Sequence, residues 1–217
     1  MAQPDLHNRE RLKVLIADDV QETRRNTRLM LAAIDDVEVV AIASNGLQAI
    51  QFANEHHPDV VLLDVNMPGM DGLTAYREIA KLHPAIGCII ISAEKDTNTL
   101  QAAISAGVQE YLVKPFTGDE LETAIKKVRA YVTQARQKAS EEAQIHKQRE
   151  TYLAQLAAEY AKTHRTDDRA MEVFEQLAIN PVCETRWLQT LAMIYVVRQK
   201  WSRLKALAAK LEKRNHK

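Results

Sequence analysis

The chain has 217 residues, 46% of them hydrophobic and 27% charged, with 6 Gly and 6 Pro. That composition excludes collagen-like, low-complexity and disordered chains, and the length suits one ordinary domain plus a smaller one, given roughly 100–200 residues per domain. The 29 basic and 29 acidic residues cancel overall but not locally: residues 1–150 hold 17 Lys+Arg against 22 Asp+Glu, and residues 151–217 hold 12 against 7. The polar start MAQPDLHNRE lacks a signal-peptide apolar segment, and apolar runs such as Leu191–Val197 fall far short of the roughly 18 residues of a membrane span. A soluble, unexported, cytoplasmic protein is expected. Two cysteines make no disulfide framework, and Cys88, inside Cys88-Ile89-Ile90-Ile91, reads as a buried structural thiol.

Over the first 130 residues, apolar runs of strand length alternate with amphipathic segments of helix length, the pattern of a parallel sheet with crossover helices. Strands are predicted at Leu12–Ala17, Val37–Ala43, Asp59–Asp64, Ile86–Ser92 and Glu110–Val113. Helices are predicted between them at about 21–34, 46–56, 72–83 and 97–106, with turn signals at Asn45-Gly46, His57-Pro58, Pro68-Gly69, His83-Pro84 and Ala106-Gly107. The fold class expected is α/β, a doubly wound five-stranded parallel sheet of flavodoxin-like type, because the near-continuous Val/Ile/Leu of strands three and four requires cover on both faces.

Thr117-Gly118-Asp119-Glu120 spells a capping box that opens a helix, and no Gly or Pro follows until Pro181. Leu121, Ile125, Val128, Val132, Ala135 and Ala139 continue one apolar stripe at alternating spacings of four and three, after which Glu142 and His146 end it. The second half of that stripe offers only alanines, so a solvated connector helix is the expectation and a coiled-coil homodimer the alternative.

Asp18 and Asp19 follow the first strand, Asp64 the third, Ser92 the fourth and Lys114 the fifth, so all sit at carboxyl ends of predicted strands. In open α/β sheets ligands bind along that edge. Like charges about 4 Å apart at an effective dielectric near 20 repel by on the order of 4 kcal/mol, so three clustered carboxylates call for a cation. Mg²⁺ suits them: it takes oxygen ligands, keeps several waters and commonly joins carboxylates to a phosphate oxygen. Lys114 adds a positive charge for phosphate oxygens and Ser92 a hydroxyl, and Asp64 is the best placed carboxylate to act as nucleophile toward a phosphoryl group. His56, His57 and His146 read as exposed helix residues rather than metal ligands or phosphotransfer sites, since no partner ligand stands at useful spacing.

These residues lie in VLIADDVQETR, DVVLLDVNMPGMDG, CIIISAE and GVQEYLVKPF, and together they resemble the receiver domain of two-component response regulators over about residues 12–130. The resemblance implies that Asp64 accepts a phosphoryl group from a cognate histidine kinase. It implies that Asp18, Asp19, Asp64 and the Asn66 backbone carbonyl hold Mg²⁺, and that Ser92 and Lys114 contact the phosphoryl oxygens. It further implies that Tyr111 swings inward on activation, that Lys114-Pro115 is a cis peptide, and that Asn66 and Glu94 tune hydrolysis. On this reading residues 1–11 are a tail, 12–132 the receiver, 133–150 a helical connector and 151–217 an all-α domain.

From Thr151 onward the pattern is helical, with helices predicted at about 150–163, 167–178, 184–198 and 201–214. A shift of 34 residues places Ala154 on Leu188, Ala158 on Ala192, Ala161 on Tyr195, Asp167 on Trp201, Ala170 on Leu204, Phe174 on Ala208 and Leu177 on Leu211. That period resembles tetratricopeptide repeats, as does Ala170-x3-Phe174 followed by Pro181, although the repeat's usual central glycine is missing. A protein-interaction module with an unidentified downstream partner is expected. The alternative is a nucleic-acid-binding output, because residues 198–217 hold eight Lys+Arg against one acidic residue. However, Trp201, Leu204, Leu207, Ala208 and Leu211 are expected to share a core-facing side, which leaves the basic residues as its solvated face. Residues 151–217 lack a Gly-rich phosphate loop, a metal cluster or a nucleophile–base pair, so the chemistry expected is confined to the receiver acting on itself.

Overall fold

A computed structural model describes residues 11–93, 97–180 and 182–215, with side chains through 212. Tail residues 1–10, Glu94 and Pro181 therefore lie outside the described residues. Two compact units divide between Ala139 and Ser140. The first contains β1 (Leu12–Ala17), α1 (Gln21–Ala32), β2 (Val37–Ala43), α2 (Gly46–His56), β3 (Val60–Asp64), α3 (Gly72–Leu82), β4 (Gly87–Ser92), α4 (Thr97–Ser105) and β5 (Glu110–Val113). Helix α5 (Gly118–Lys162) begins in the first unit and ends in the second, followed by α6 (Asp168–Ile179), α7 (Thr185–Val197) and α8 (Trp201–Asn215). No described helix is long and apolar enough to cross a membrane.

All strand pairings are parallel, in the order β2-β1-β3-β4-β5. The expected α/β architecture is the one present. Strands β3 and β4 are buried at every position, as their unbroken apolar character requires. Successive side chains alternate between two cores: Leu15, Val61, Leu63, Cys88 and Ile90 face α2 and α3, and Val14, Ile16, Leu62, Ile89 and Ile91 face α1 and α5. Two predicted strands start one residue later than their apolar runs suggest. At β3 the reason is visible, because Asp59 is buried with its carboxylate accepting from the Lys13 backbone N–H at 2.9 Å and pairing with Arg136 of α5.

Local chemistry places the helix ends. Asn45 caps α2 by accepting from Gln48 N–H at 2.9 Å, so Asn45-Gly46 starts a helix rather than making a free turn. Thr117 and Glu120 form the reciprocal capping box: Thr117 N–H donates to Glu120 Oε2 at 2.8 Å, and Glu120 N–H donates to Thr117 Oγ1 at 3.3 Å. Along α5, Leu121, Ile125, Val128 and Val132 are buried, Ala135 is half-buried, and residues 136–149 are exposed all round. The apolar stripe thus leaves the sheet's core where its residues shrink to alanine. Gly87 allows the close approach of α5 to β4, since a Cβ there would lie 2.2 Å from Val128 Cγ1.

The second unit has its own core, centred on Phe174, Trp187, Leu188, Leu191, Ile194 and Tyr195, with Ala157 and Tyr160 from α5 and Leu207 from α8. Its two helical hairpins turn in the same way. His164 and Gln199 both take positive φ, and the next N–H returns to a tyrosine carbonyl in each: Arg165 to Tyr160 at 3.0 Å and Lys200 to Tyr195 at 2.8 Å. The expected face of α8 is corrected in part. Leu204, Leu207 and Leu211 turn inward, whereas Trp201 is 59% exposed and Ala208 is exposed, because the five positions span more of the helix circumference than α6 and α7 cover.

Candidate functional site

The strand order reverses direction at β1 and β3, and their carboxyl ends carry the acidic residues. Ala17 is in register with Leu63, so the next residues, Asp18 and Asp64, emerge side by side. Carboxylate oxygens of Asp18, Asp19 and Asp64 all lie within 4.8 Å of one another. Asp18 and Asp64 are buried and Asp19 is exposed, so the cluster opens to solvent on one side. Asp18 is fixed from two directions, its Oδ1 accepting from Val20 N–H at 2.8 Å and its backbone carbonyl accepting from Arg24 Nη1 at 2.6 Å.

Lys114 reaches this cluster because β5 pairs beside β4 and its own N–H donates to the Ser92 carbonyl at 2.8 Å. Its ammonium lies 2.7 Å from Asp18 Oδ2 and 3.1 Å from Asp64 Oδ1. Lys114-Pro115 is cis, as the family resemblance implies. Ser92 is buried at the end of β4, one strand from Asp64, and Val65 N–H donates to the Ile91 carbonyl at 2.9 Å. Asn66 is exposed in the loop after β3. Tyr111 is half-buried on β5 and packs against the apolar layer under α3 and α4.

The electrostatics are unbalanced. Burial raises the Asp64 pKa above the ordinary aspartate value, Lys114 opposes this, and Asp18 and Asp19 add to it. Burial alone would lower the Lys114 pKa, but the Asp18 and Asp64 carboxylates outweigh it and the net shift is upward. One ammonium in contact with a three-carboxylate cluster leaves negative charge in excess. That donor set, all hard oxygens with one open side, fits a divalent ion of the Mg²⁺ type.

Two contributors stand in the segments that carry the resemblance but are given no role by the sequence reading. Arg24 touches Asp18 only through the main chain, so its residue type points to nothing. Gly72, at the predicted start of the third helix, has no role assigned to it there, yet a Cβ would lie 2.1 Å from the Asp64 carbonyl oxygen. The absence of a side chain lets α3 begin directly against the strand that carries Asp64, with Asp71 capping it through Thr74 N–H at 2.8 Å.

Comparison with known proteins agrees with this arrangement. The family described as "Response regulator receiver domain" matches residues 14–126. The chain is 39% identical over 115 residues to chemotaxis protein CheY of Bacillus subtilis, covering 53% of this chain and 95% of that protein. It is 31% identical over 121 residues to transcriptional regulatory protein DegU of Brevibacillus brevis, covering 56% of this chain and 51% of that protein. It therefore spans nearly all of the first and about half of the second. Among solved structures, a DNA-binding response regulator of the LuxR family from Staphylococcus aureus superposes with a TM-score of 0.52 at 34% identity, over 54% of this chain and 98% of that one. CheY in the CheX-CheY-BeF3-Mg+2 complex from Borrelia burgdorferi gives 0.52 at 25% identity, over 54% and 88%. From the matched residues and the fold that carries them, this chain belongs to the response regulator receiver domain family.

Proposed function

We propose that residues 12–132 form a phosphorylatable receiver in which Asp64 takes a phosphoryl group from a histidine kinase. In this reading residues 133–150 are a solvated connector and residues 151–217 a tetratricopeptide-like interaction module. The observation that carries the first part is the meeting of Asp18, Asp19, Asp64 and Lys114 at one sheet edge. Asp18, Asp19, Asp64 and the Asn66 carbonyl would hold Mg²⁺, which neutralises the acid cluster and the phosphoryl oxygens when bound. An Asp64 oxygen attacks phosphorus as the bond to the donor imidazole nitrogen breaks, which forms an acyl phosphate and returns the imidazole to its histidine. Lys114, already between Asp18 and Asp64, follows the added charge, and the Ser92 hydroxyl donates to a phosphoryl oxygen. Ser92 moving toward the phosphoryl group vacates space into which Tyr111 turns. Hydrolysis returns Asp64 to its starting state, with Asn66 and Glu94 setting the rate, so the chain's own chemistry stays confined to this site.

Two observations favour a protein-interaction module over a nucleic-acid-binding one. The two hairpin turns repeat at nearly the offset of the sequence repeat. Arg198 pairs with Asp168, Arg203 with Glu175 at 2.6 Å, and Lys210 donates to the Ala178 carbonyl at 2.5 Å, so these cations serve the module's own packing. The family match ends at residue 126 and the chain covers 51% of DegU, so the output that DegU's name describes is not carried over to this chain. The cytoplasm, where a kinase would present its phosphohistidine, is the proposed location.

Incubation with acetyl phosphate and Mg²⁺, read by intact mass, tests the acceptor. One phosphoryl adduct on the native chain and none on Asp64→Ala is expected; an adduct on both refutes the assignment. For the output, capture experiments with and without beryllofluoride should retain a protein partner in a state-dependent way. State-dependent retention of a defined oligonucleotide instead, weakening steeply with salt, would transfer the output to nucleic acid.

A further inference from the structure

Helices α2 and α3 both end at the edge of the sheet where β3 and β4 begin, away from the acid cluster. The residues directly after them, His57 and His83, place their rings edge to face with centroids 5.5 Å apart and planes 68° apart. His57 sits at φ 46°, ψ 59°, a left-handed cap that glycine or asparagine adopts more readily, and its N–H closes α2 on the Ala53 carbonyl at 3.1 Å. Closing the helix needs only the backbone, so the imidazole adds nothing to the cap.

His83 Nε2 lies 2.9 Å from Asn54 Oδ1. An amide oxygen only accepts, so the tautomer that makes this bond donates from Nε2 and leaves Nδ1 with a lone pair. An oxygen that takes the proton on one ring nitrogen and so orients the other is the usual support of a metal-ligating histidine. Two imidazoles bound at about 2.0–2.1 Å to a tetrahedral ion place their ring centroids about 5 Å apart, close to the separation seen here.

We propose that His57 and His83 form a two-histidine zinc site, with Asn54 orienting His83 and waters completing the coordination. The His56 ring turns instead toward Phe52, with centroids 5.9 Å apart, and is not a ligand. Among the described residues the acid cluster is the sole grouping of three ligands, so the histidine site is open and exchangeable rather than a closed structural centre. Bound zinc would tie the end of α2 to the end of α3.

Calorimetric titration of the full chain with Zn²⁺, with Mg²⁺ in excess to occupy the acid cluster, tests this. One site is expected, weakened at least about tenfold in Asn54→Leu and further in His57→Asn and His83→Gln. His57→Asn retains a residue suited to the left-handed backbone. The ring ¹⁵N resonances of His57 and His83 should move with zinc while those of His146 do not. Zinc affinity unchanged in both ligand variants, or ring resonances that stay in place, would overturn the site.

Discussion

Replacing Asp64 by Asn is expected to stabilise the first unit when no divalent ion is present. At an effective dielectric near 20, the 3.1 Å approach of Lys114 to Asp64 is worth about 5 kcal/mol of attraction. Repulsion from Asp18 within 4.8 Å costs at least about 3.5 kcal/mol on the same scale, and exposed Asp19 adds about 1–2 more through a wetter medium. These terms come close to cancelling, which leaves the burial of a charged group as the deciding cost. Asn keeps the shape and removes that cost, so a gain of about 1–2 kcal/mol at neutral pH is expected. The pH dependence follows in sign: the folded protein holds the Asp64 proton more tightly than the unfolded chain, so stability falls as pH rises from the ordinary aspartate value through the raised one. The advantage of Asn should therefore be full above that window and vanish below it. Hydrogen exchange of peptides from β1, β3 and β4, followed by mass spectrometry, reads the first unit by itself, and about 1.4 kcal/mol slows globally opened amides tenfold. Mg²⁺ should then protect the native chain, by about 2.7 kcal/mol at a hundredfold excess over its dissociation constant, and protect the variant less. Faster exchange in Asp64→Asn without Mg²⁺ would show that the Lys114 ion pair dominates, and would refute the charge-excess argument.

Other expectations rest on particular contacts. Asp59→Ala removes the acceptor of Lys13 N–H and the partner of Arg136, which is 53% exposed; a loss of about 2–3 kcal/mol in the same exchange experiment is expected, and less than about 1 kcal/mol would contradict it. Gly87→Ala drives a methyl into Val128 and Val132 and should cost about 1–3 kcal/mol, with α5 peptides near Val128 losing the most protection. Phe174, fully buried in the second unit, should cost about 3–5 kcal/mol as Ala in unfolding followed by fluorescence, while β-strand exchange is unchanged. Both tryptophans, Trp187 and Trp201, lie in the second unit, so their emission reports on it alone. If the receiver state is transmitted along α5, beryllofluoride with Mg²⁺ should alter that emission in the native chain and not in Asp64→Ala; equal responses would refute transmission.

Much of the first unit is legible in the sequence because its signals are local. Unbroken runs such as Val60–Leu63 and Cys88–Ile91 mark buried strands, and Thr117 with Glu120 marks a helix start three residues apart. The acid cluster is legible because strand ends in a parallel sheet share one edge, so Asp18, Asp64 and Lys114 can be brought together without knowing any distance. What escaped depends on three-dimensional approach. Asp59 and Arg136 are 77 residues apart, and nothing around either predicts the other. The space that Gly72 leaves for Asp64 is a property of packing, not of a turn motif. The contact of the His57 and His83 rings, and that of His83 with Asn54, join residues that the sequence reads singly, His57 as an exposed helix residue and His83 as part of a turn with Pro84. The exposure of Trp201 was hidden because helical periodicity tells which residues share a face, not how much of that face a neighbour covers.

The most direct measurement is chemical localisation of the acyl phosphate. The native chain is phosphorylated with acetyl phosphate and Mg²⁺, reduced with borohydride to convert the phosphorylated aspartate to homoserine, and mapped by peptide mass spectrometry. Homoserine at position 64, with positions 18 and 19 unchanged and no conversion when Mg²⁺ is withheld, is the predicted result. Conversion at Asp18 or Asp19, or at residue 64 regardless of Mg²⁺, would contradict the roles proposed for the three carboxylates.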